Sequence, residues 1–311
     1  MSPHFLVIGE ALIDIVDRDG ERSHHVGGSP LNVAFGLGRL GVRTVFATEF
    51  GDDADGTAIA THLASAGVAI ERTDDVSRRT STSLARIGAD GSASYDFHVA
   101  WAFRTPPPVG DAQAVHVGSI GAFLAPGGPR VLELIESLPA EVLVSFDPNI
   151  RPAFVPSREE TRELVERYAA RATIVKLSDE DAEWLYPGRA DDVAGILLGQ
   201  GARLVAITRG AEGSTLYAPG ATVQVPARPT RAVDTIGAGD AYMSGLLAAI
   251  AAPSGMVAAL QDLSAADLAA IGRIAAESAA ITVGRAGAMP PTAEELERAG
   301  RAPVGDVAPT A

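Results

Sequence analysis

The sequence predicts an α/β fold: a mainly parallel central sheet flanked by helices, with a small second β-sheet beside it. Three observations predict it. Short apolar runs suited to buried strands alternate with helical stretches along most of the 311 residues. That alternation implies parallel strands joined by crossover helices. Near residues 11–27 and 80–104 it gives way to period-two patterns broken by turn residues, as in hairpins. Hydrophobic residues make up 47% of the chain, ample for a sizeable core. The length suits one large domain with an accessory piece as well as two domains. We take residues 1–311 as one domain, with the accessory sheet at about 11–27 and 80–104.

Taken in order, Phe5-Leu6-Val7-Ile8-Gly9 is a buried first strand. Glu10 to Val16 continues with alternation, and Asp17-Arg18-Asp19-Gly20 reads as a hairpin turn. A strand through His24-His25-Val26 returns the chain to Gly27-Gly28. A helix follows from about Ser29 or Pro30, with proline in its first turn, to Leu40-Gly41. Thr44 to Thr48 is the next strand and Gly56 to Ala66 the next helix. Thr82 to Ile87 and Ser94 to Val99 make a second hairpin across Ala89-Asp90-Gly91. Thr105-Pro106-Pro107-Pro108 leads back to the main body. There Ala114–Val117, Val142–Phe146, Ile174–Leu177 and Leu204–Thr208 read as strands. Helices at Arg130–Ser137, Ser157–Ala170 and Asp179–Leu185 lie between them. Gly213–Tyr217 and Thr222–Val225 suggest a short hairpin. Helices at 241–252, about 264–284 and 292–299 close the fold, and the tail from Arg301 reads as loosely ordered.

Composition narrows the chemistry. Zero cysteines exclude disulfides, thiolate metal sites and cysteine nucleophiles, and fit a reducing cytoplasm. The net charge of −14 argues against nucleic acid or an anionic membrane surface as the main partner. No apolar run reaches membrane-spanning length, and Met1 to Phe5 carries no basic n-region of a secretory signal. The six histidines show no metal-ligand spacing. Lys176 is the only lysine, and no G-x-x-x-x-G-K-[ST] exists, which excludes a P-loop. Phosphate chemistry here would fall to backbone amides, arginines and a metal ion.

One stretch organises the rest: Val233-Asp234-Thr235-Ile236-Gly237-Ala238-Gly239-Asp240, followed directly by a small-residue, apolar run suited to a helix. Such a turn aims consecutive N–H groups from a helix N-terminus, where the dipole favours an anion. Gly237 and Gly239 admit dihedrals closed to other residues. Asp240 is either a helix N-cap or a functional acid beside an anion hole.

This stretch, read through to Leu247, resembles the C-terminal signature of the ribokinase-like (PfkB) carbohydrate kinases. Gly27-Gly28-Ser29-Pro30-Leu31-Asn32 running to Gly41 resembles their N-terminal signature, and the two lie some two hundred residues apart in the family's order. The resemblance spans nearly the whole chain. It implies the ribokinase-like fold, with the accessory sheet serving as a lid over a sugar site. It makes Asp240 the base that accepts the proton of a sugar hydroxyl. The amides of Gly237, Ala238 and Gly239 would hold the charge of the moving phosphoryl group.

Other positions follow from the same resemblance. Asp14, Gly27, Gly28 and Asn32 fall where relatives contact the sugar. Asp147-Pro148-Asn149-Ile150-Arg151-Pro152 follows a strand, where open α/β sheets bind ligands, and resembles a fructokinase segment that puts Arg151 in the cleft. The lid aromatics Tyr95, Phe97, His98, Trp101 and Phe103 serve either as sugar-stacking faces or as ordinary packing. Lys176-Leu177-Ser178-Asp179-Glu180-Asp181 aligns with the N-x-x-E region that orders magnesium and phosphate, with Ser178 and Asp181 replacing its asparagine and glutamate. A capped helix start is the alternative reading of Asp181. Thr208, Gly210 and Gly213 match a T-x-G-x-x-G segment that contacts the nucleotide. A monovalent-cation (potassium) site would fall on Asp234, Ile236, Thr282, Arg285 and Gly287.

The expectation is therefore an ATP- and magnesium-dependent kinase of a small unphosphorylated sugar, closest to fructokinases through GEALIDIV, DPNIRP and KLSDED. Ribose, a 2-keto-3-deoxy sugar acid or a nucleoside is the alternative acceptor, and Arg104 is the cation to test for an acid. A non-catalytic sugar-binding protein is the rival class. The lid's exposed edges suggest a homodimer through paired lids.

Overall fold

Apolar pentapeptides set the centre of the molecule. His4–Ile8 (β1), Leu143–Asp147 (β9), Ile174–Ser178 (β10) and Leu204–Thr208 (β11) are each almost wholly buried, as strands covered on both faces must be. The computed structural model describes residues 4–18, 20–73, 79–87, 93–251 and 260–301. The expected turn at Ala89-Asp90-Gly91 and the tail beyond Arg301 lie outside these residues.

β1 pairs in parallel with Thr44–Thr48 (β4) on one side and Ala112–Gly118 (β8) on the other. Ala69–Arg72 (β5), Ser214–Ala218 (β12) and Ala221–Val225 (β13) complete a nine-stranded sheet of order β13-β12-β11-β10-β9-β8-β1-β4-β5. Only the β11–β12 and β12–β13 pairings are antiparallel. The second sheet is built from Leu12–Arg18 (β2), Glu21–Gly27 (β3), Ser81–Ile87 (β6) and Ala93–His98 (β7), in the order β3-β2-β6-β7. The two hairpins are joined through their inner strands, which run parallel and set Asp14 opposite Ser83.

Helices cover both faces of the large sheet. Ser29–Arg39 (α1), Ala54–Ser65 (α2), Ala238–Ile250 (α8) and Ala265–Val283 (α9) enclose one apolar core, centred on Phe46, Leu37, Met243 and Leu246. Ser119–Phe123 (α3), Gly127–Ser137 (α4), Arg158–Ala169 (α5), Asp179–Leu185 (α6) and Val193–Gln200 (α7) enclose the other, around Phe146, Tyr168 and Val205. Ala293–Arg301 (α10) follows α9. Capping boxes at Ser157, Ser178 and Ser264 fix three helix starts, each cap contributing about 1 kcal/mol.

Two elements were not foreseen. β5 is a four-residue edge strand too short for a clear period, and α7 is apolar on every side, so neither carries a readable alternation. α8 begins at Ala238, three residues before the expected start, because Gly237 at φ +74 supplies the helix cap without a side chain.

Candidate active site

Three cavities meet at the carboxyl ends of the parallel strands. The first, about 620 Å³, lies between the lid and the main body. It is lined by Asp14, Ser83 and Phe97 from the lid, by Gly28, Ser29 and Asn32 at the start of α1, and by Thr235 to Asp240. The second, about 460 Å³, runs past Arg151, Lys176, Ser178, Asp181, Thr208 and Gly210. The third, about 690 Å³ and mostly apolar, lies beside β12 and α9 and includes Gly213, Tyr242 and Val283. Gly239 lines all three.

Asp240 sits in the first turn of α8 and is 7% exposed. Ser29 Oγ donates to its Oδ1 at 2.7 Å, and Asn32 Nδ2 donates to its Oδ2 at 2.8 Å. The two ends of the chain's motif pair are thereby locked together, with the carboxylate held by two neutral donors. Neutral donors leave it anionic without a competing cation. Asn32 Oδ1 is buried and has no partner within the protein, which leaves an acceptor beside the sugar-sized cavity. Ala241 N–H is bonded to Gly237 O at 2.8 Å, so the amides of Gly239 and Asp240 precede the helical ladder. The Ala238 amide turns back to Thr235 O at 3.3 Å. Of the three amides expected to form the anion hole, that one is the least available.

Asp14 lies on β2, hydrogen-bonded to Ser83 across the parallel seam; burial raises its carboxyl above the usual range, and Ser83, His25 and Arg151 oppose this. Gly27 packs directly on it: a Cβ at Gly27 would fall 2.2 Å from Asp14 Oδ2. Gly28, at φ +111, leaves only 2.6 Å between its own Cβ position and the carbonyl of Glu10. No other residue fits there.

The aromatics divide. Phe97, 39% exposed, lines the cavity and packs edge-on against Phe154. Trp101 and Phe103 are 2% and 0% exposed and belong to the apolar core, so the sugar-stacking alternative is overturned for them. His98 is exposed outside the cavity linings. Arg104 is exposed on the surface and lines none of the three cavities, which removes the cation proposed for a sugar acid.

Glu10 is the acid that sequence reading passed over. It is 3% exposed, lines the first cavity, and accepts from Gly121 N–H at 2.7 Å and from the Ser119 side chain. Burial pushes its carboxyl from 4.5 up to about 7; those hydrogen bonds oppose the rise and the Asp240 charge adds to it. The signal was present in the strand-end acid of Gly9-Glu10, but the bend of the chain that turns it inward was not.

In the second cavity, Lys176 Nζ pairs with Asp147 Oδ2 at 2.8 Å, both residues being buried. Burial raises Asp147 to about 6 despite the Lys176 charge, and Asp181 and Asp240 add to the rise. Burial disfavours the Lys176 ammonium, but Asp147, Asp181 and Asp240 outweigh it and raise the pKa. The pair is ionised at neutral pH. Asp181 is the third residue of the α6 capping box: its oxygens accept from Ile150 N–H at 2.9 Å and Ser178 N–H at 3.1 Å. Among the described residues no cluster of three or more His, Asp or Glu side chains forms a metal cage. The α6 start, with Asp179, Glu180 and Asp181 on the cleft, suits an ion held mainly by phosphate oxygens and water.

The five residues assigned to a monovalent cation surround one junction. Asp234 accepts from Ile236 N–H at 3.0 Å and Gly287 N–H at 2.9 Å, while Arg285 N–H bonds to Thr282 O. The Asp234 side chain is thus occupied, and only backbone carbonyls are left to ligate.

The pfkB family carbohydrate kinase profile matches residues 3–295. The chain belongs to this family. It is a carbohydrate kinase, and the relatives that carry names agree. It is 36% identical over 258 residues to a fructokinase of Rhizobium leguminosarum bv. trifolii, covering 79% of each chain. It is 34% identical to a fructokinase of Klebsiella pneumoniae, over 85% of this chain and 91% of that one. Among solved structures, a Xylella fastidiosa fructokinase with bound ATP superposes with TM-score 0.81 at 27% identity, covering 95% and 97% of the two chains. A Salmonella enterica aminoimidazole riboside kinase gives 0.79 at 26%, covering 95% and 99%. The ribokinase-like fold, with its parallel sheet and β lid, is the one the sequence predicts.

Proposed function

We propose that this kinase transfers the γ-phosphoryl group of ATP to a hydroxyl of fructose. The observation that carries the reading is Asp240, pinned between Ser29 and Asn32 where the lid cavity meets the N-terminus of α8. Fructose is favoured because the named relatives are fructokinases, one of them, from Vibrio cholerae, described with fructose, ADP and potassium bound. The cavity also has no core cation beside Asp14 that would select an acid.

In this reading the acceptor sits among Asp14, Asn32 and Phe97, and Gly27 and Gly28 let the backbone close around Asp14. Asp240 accepts the hydroxyl proton as the oxygen attacks. Its strength as a base matters little until late, because a loose transition state develops charge on the phosphoryl oxygens first. The amides at Gly237–Gly239 meet that charge, and Arg151 closes the cleft from the other side. The nucleotide lies along Ser178, Thr208, Gly210 and Gly213, with its base in the apolar third cavity. Magnesium, when bound, screens the phosphate charge, and the acids at the start of α6, Asp181 included, would hold its water shell. Potassium at the carbonyls near Asp234, Ile236, Thr282, Arg285 and Gly287 would stiffen the turn. Replacing potassium chloride by choline chloride should then lower turnover.

The whole chain acts as one domain, cytoplasmic, with the lid at about 11–27 and 80–104. It pairs with a second copy through the lid edges β3 and β7. A light-scattering mass of a single chain at working concentration would defeat that pairing. Among the described residues no helix is long and apolar enough to cross a membrane.

The test is ADP release from Mg-ATP across a sugar panel, with wild type and Asp240→Asn side by side. Turnover on fructose that falls about 10²–10⁴-fold in the variant supports acceptor and base together. Turnover on ribose, a sugar acid or a nucleoside instead would replace fructose and keep the base. A folded Asp240→Asn variant within tenfold of wild type would refute the base assignment, and inactivity on every acceptor would favour a sugar-binding protein.

A further inference from the structure

Lys176 is the sole lysine of the chain, and its position in the structure gives it a particular part in the reaction. It lines both the lid cavity and the second cleft. Its Nζ is 3.1 Å from where a Cβ on Gly239 would be, and Gly239 is the residue at which all three cavities join. An ammonium has three donors. Among the described residues the hydrogen bond of this one goes to Asp147, so two donors remain for the cavities.

Stability alone does not account for the pair. A buried ion pair regains little more than its desolvation cost, and apolar replacements of equal size are often as stable. Arg151, the other cation common to both cavities, is solvent-exposed, and its guanidinium bonds to the Ile150 carbonyl at 3.1 Å. Only Lys176 offers an unscreened positive charge beside the Gly237–Gly239 turn.

We propose that Lys176 is a catalytic residue whose ammonium binds the phosphoryl group in transit, with Asp147 as the positioning residue that holds it beneath Gly239. The inference rests on the kinase reaction proposed above. In that step the acceptor oxygen forms its bond to phosphorus as the bridging bond to ADP breaks. The hydroxyl proton passes to Asp240, the bonding pair leaves on the β-phosphate oxygen, and Lys176 keeps its proton throughout. Its charge meets the equatorial oxygens when they are most negative. It therefore stabilises the transition state more than bound ATP or sugar.

The test compares Lys176→Met, Asp147→Asn and the double variant. Lys176→Met leaves a lone buried carboxyl and should melt early, whereas the double variant removes both charges and should regain most of that loss. Both variants lacking Lys176 should show kcat lowered about 10²–10³-fold, with the sugar KM changed less than about threefold. Asp147→Asn keeps the ammonium and should lose only about tenfold. ATP hydrolysis without sugar, followed in the same proteins, should fall in parallel, so a wrong choice of acceptor shows in wild type and leaves this comparison intact. A folded double variant with kcat and hydrolysis within about threefold of wild type overturns the proposal. A second measurement needs no variant. Protein labelled with ¹⁵Nζ-lysine gives one side-chain ammonium signal. Mg-ADP with aluminium fluoride, a mimic of the moving phosphoryl group, should shift that signal well beyond Mg-ADP alone. An equal shift with both would overturn the proposal as surely.

Discussion

Glu10→Gln isolates the cost of keeping an acid inside the sugar-sized cavity. In the folded protein this carboxyl ionises near pH 7, against 4.5 for the unfolded chain. The native state therefore binds the extra proton between those limits. Stability from this group is fully present below about pH 4.5 and is lost as pH rises through 7. At 1.36 kcal/mol per pH unit, the whole displacement is worth about 3 kcal/mol, of which about 2.5 is lost between pH 5 and pH 8. Glutamine removes the titration and keeps the contacts: its carbonyl can still accept from Gly121 N–H, and its amide can donate to the Ser119 hydroxyl. With an unfolding entropy of roughly 2.1 cal/mol/K per residue, wild type should lose about 4 °C more than the variant over that pH range. Thermal melts of both proteins at pH 5 and pH 8 decide it. Parallel melting curves, or a variant that loses more than wild type at pH 8, would refute the reasoning.

Three further outcomes follow from the same geometry. Gly28→Ala should lower the melting temperature sharply and abolish turnover, because φ +111 and the Glu10 carbonyl at 2.6 Å force α1, and with it Ser29 and Asn32, away from Asp240; a variant that melts like wild type would show that the turn yields. Phe97→Ala should raise the sugar KM with less than about 1 kcal/mol of lost stability, while Trp101→Ala should cost about 3–5 kcal/mol, a contrast read from steady-state kinetics and urea melts. Asp14→Asn should raise the sugar KM about tenfold and leave kcat within threefold, since its contact with a hydroxyl remote from the reacting oxygen is equal in ground and transition states.

The strands of the large sheet were legible because burial on both faces writes itself as unbroken apolar runs: Thr44–Thr48 and Leu204–Thr208 agree to the residue. Motif spacing made the anion turn legible too, and the turn, Asp240 and Asn32 do converge on one cavity. Pairing was not legible. That β2 and β6 run parallel depends on how two distant hairpins meet, and nothing local to either records it. The Ser29–Asp240 bond spans 211 positions, and Ser29 alone reads as a helix start. Trp101 and Phe103 sit in the same stretch as Phe97, and only the course of the chain after β7 sends them into the core. Lys176 was legible as a count of one and as a motif position, but its depth and its carboxylate partner were not.

The parallel seam of the lid also bears on how the protein is assembled in time. Asp14 and Ser83 face each other across about seventy positions of chain, and that interval contains α1, β4, α2 and β5. Neither hairpin can find the other until those elements have laid down their part of the large sheet. Contacts that close so long a loop form late and open early. Amide protons along β2 and β6 should therefore exchange ahead of those in β1 and β9. The part of the chain that recognises the acceptor is the last to acquire its structure and the first to surrender it.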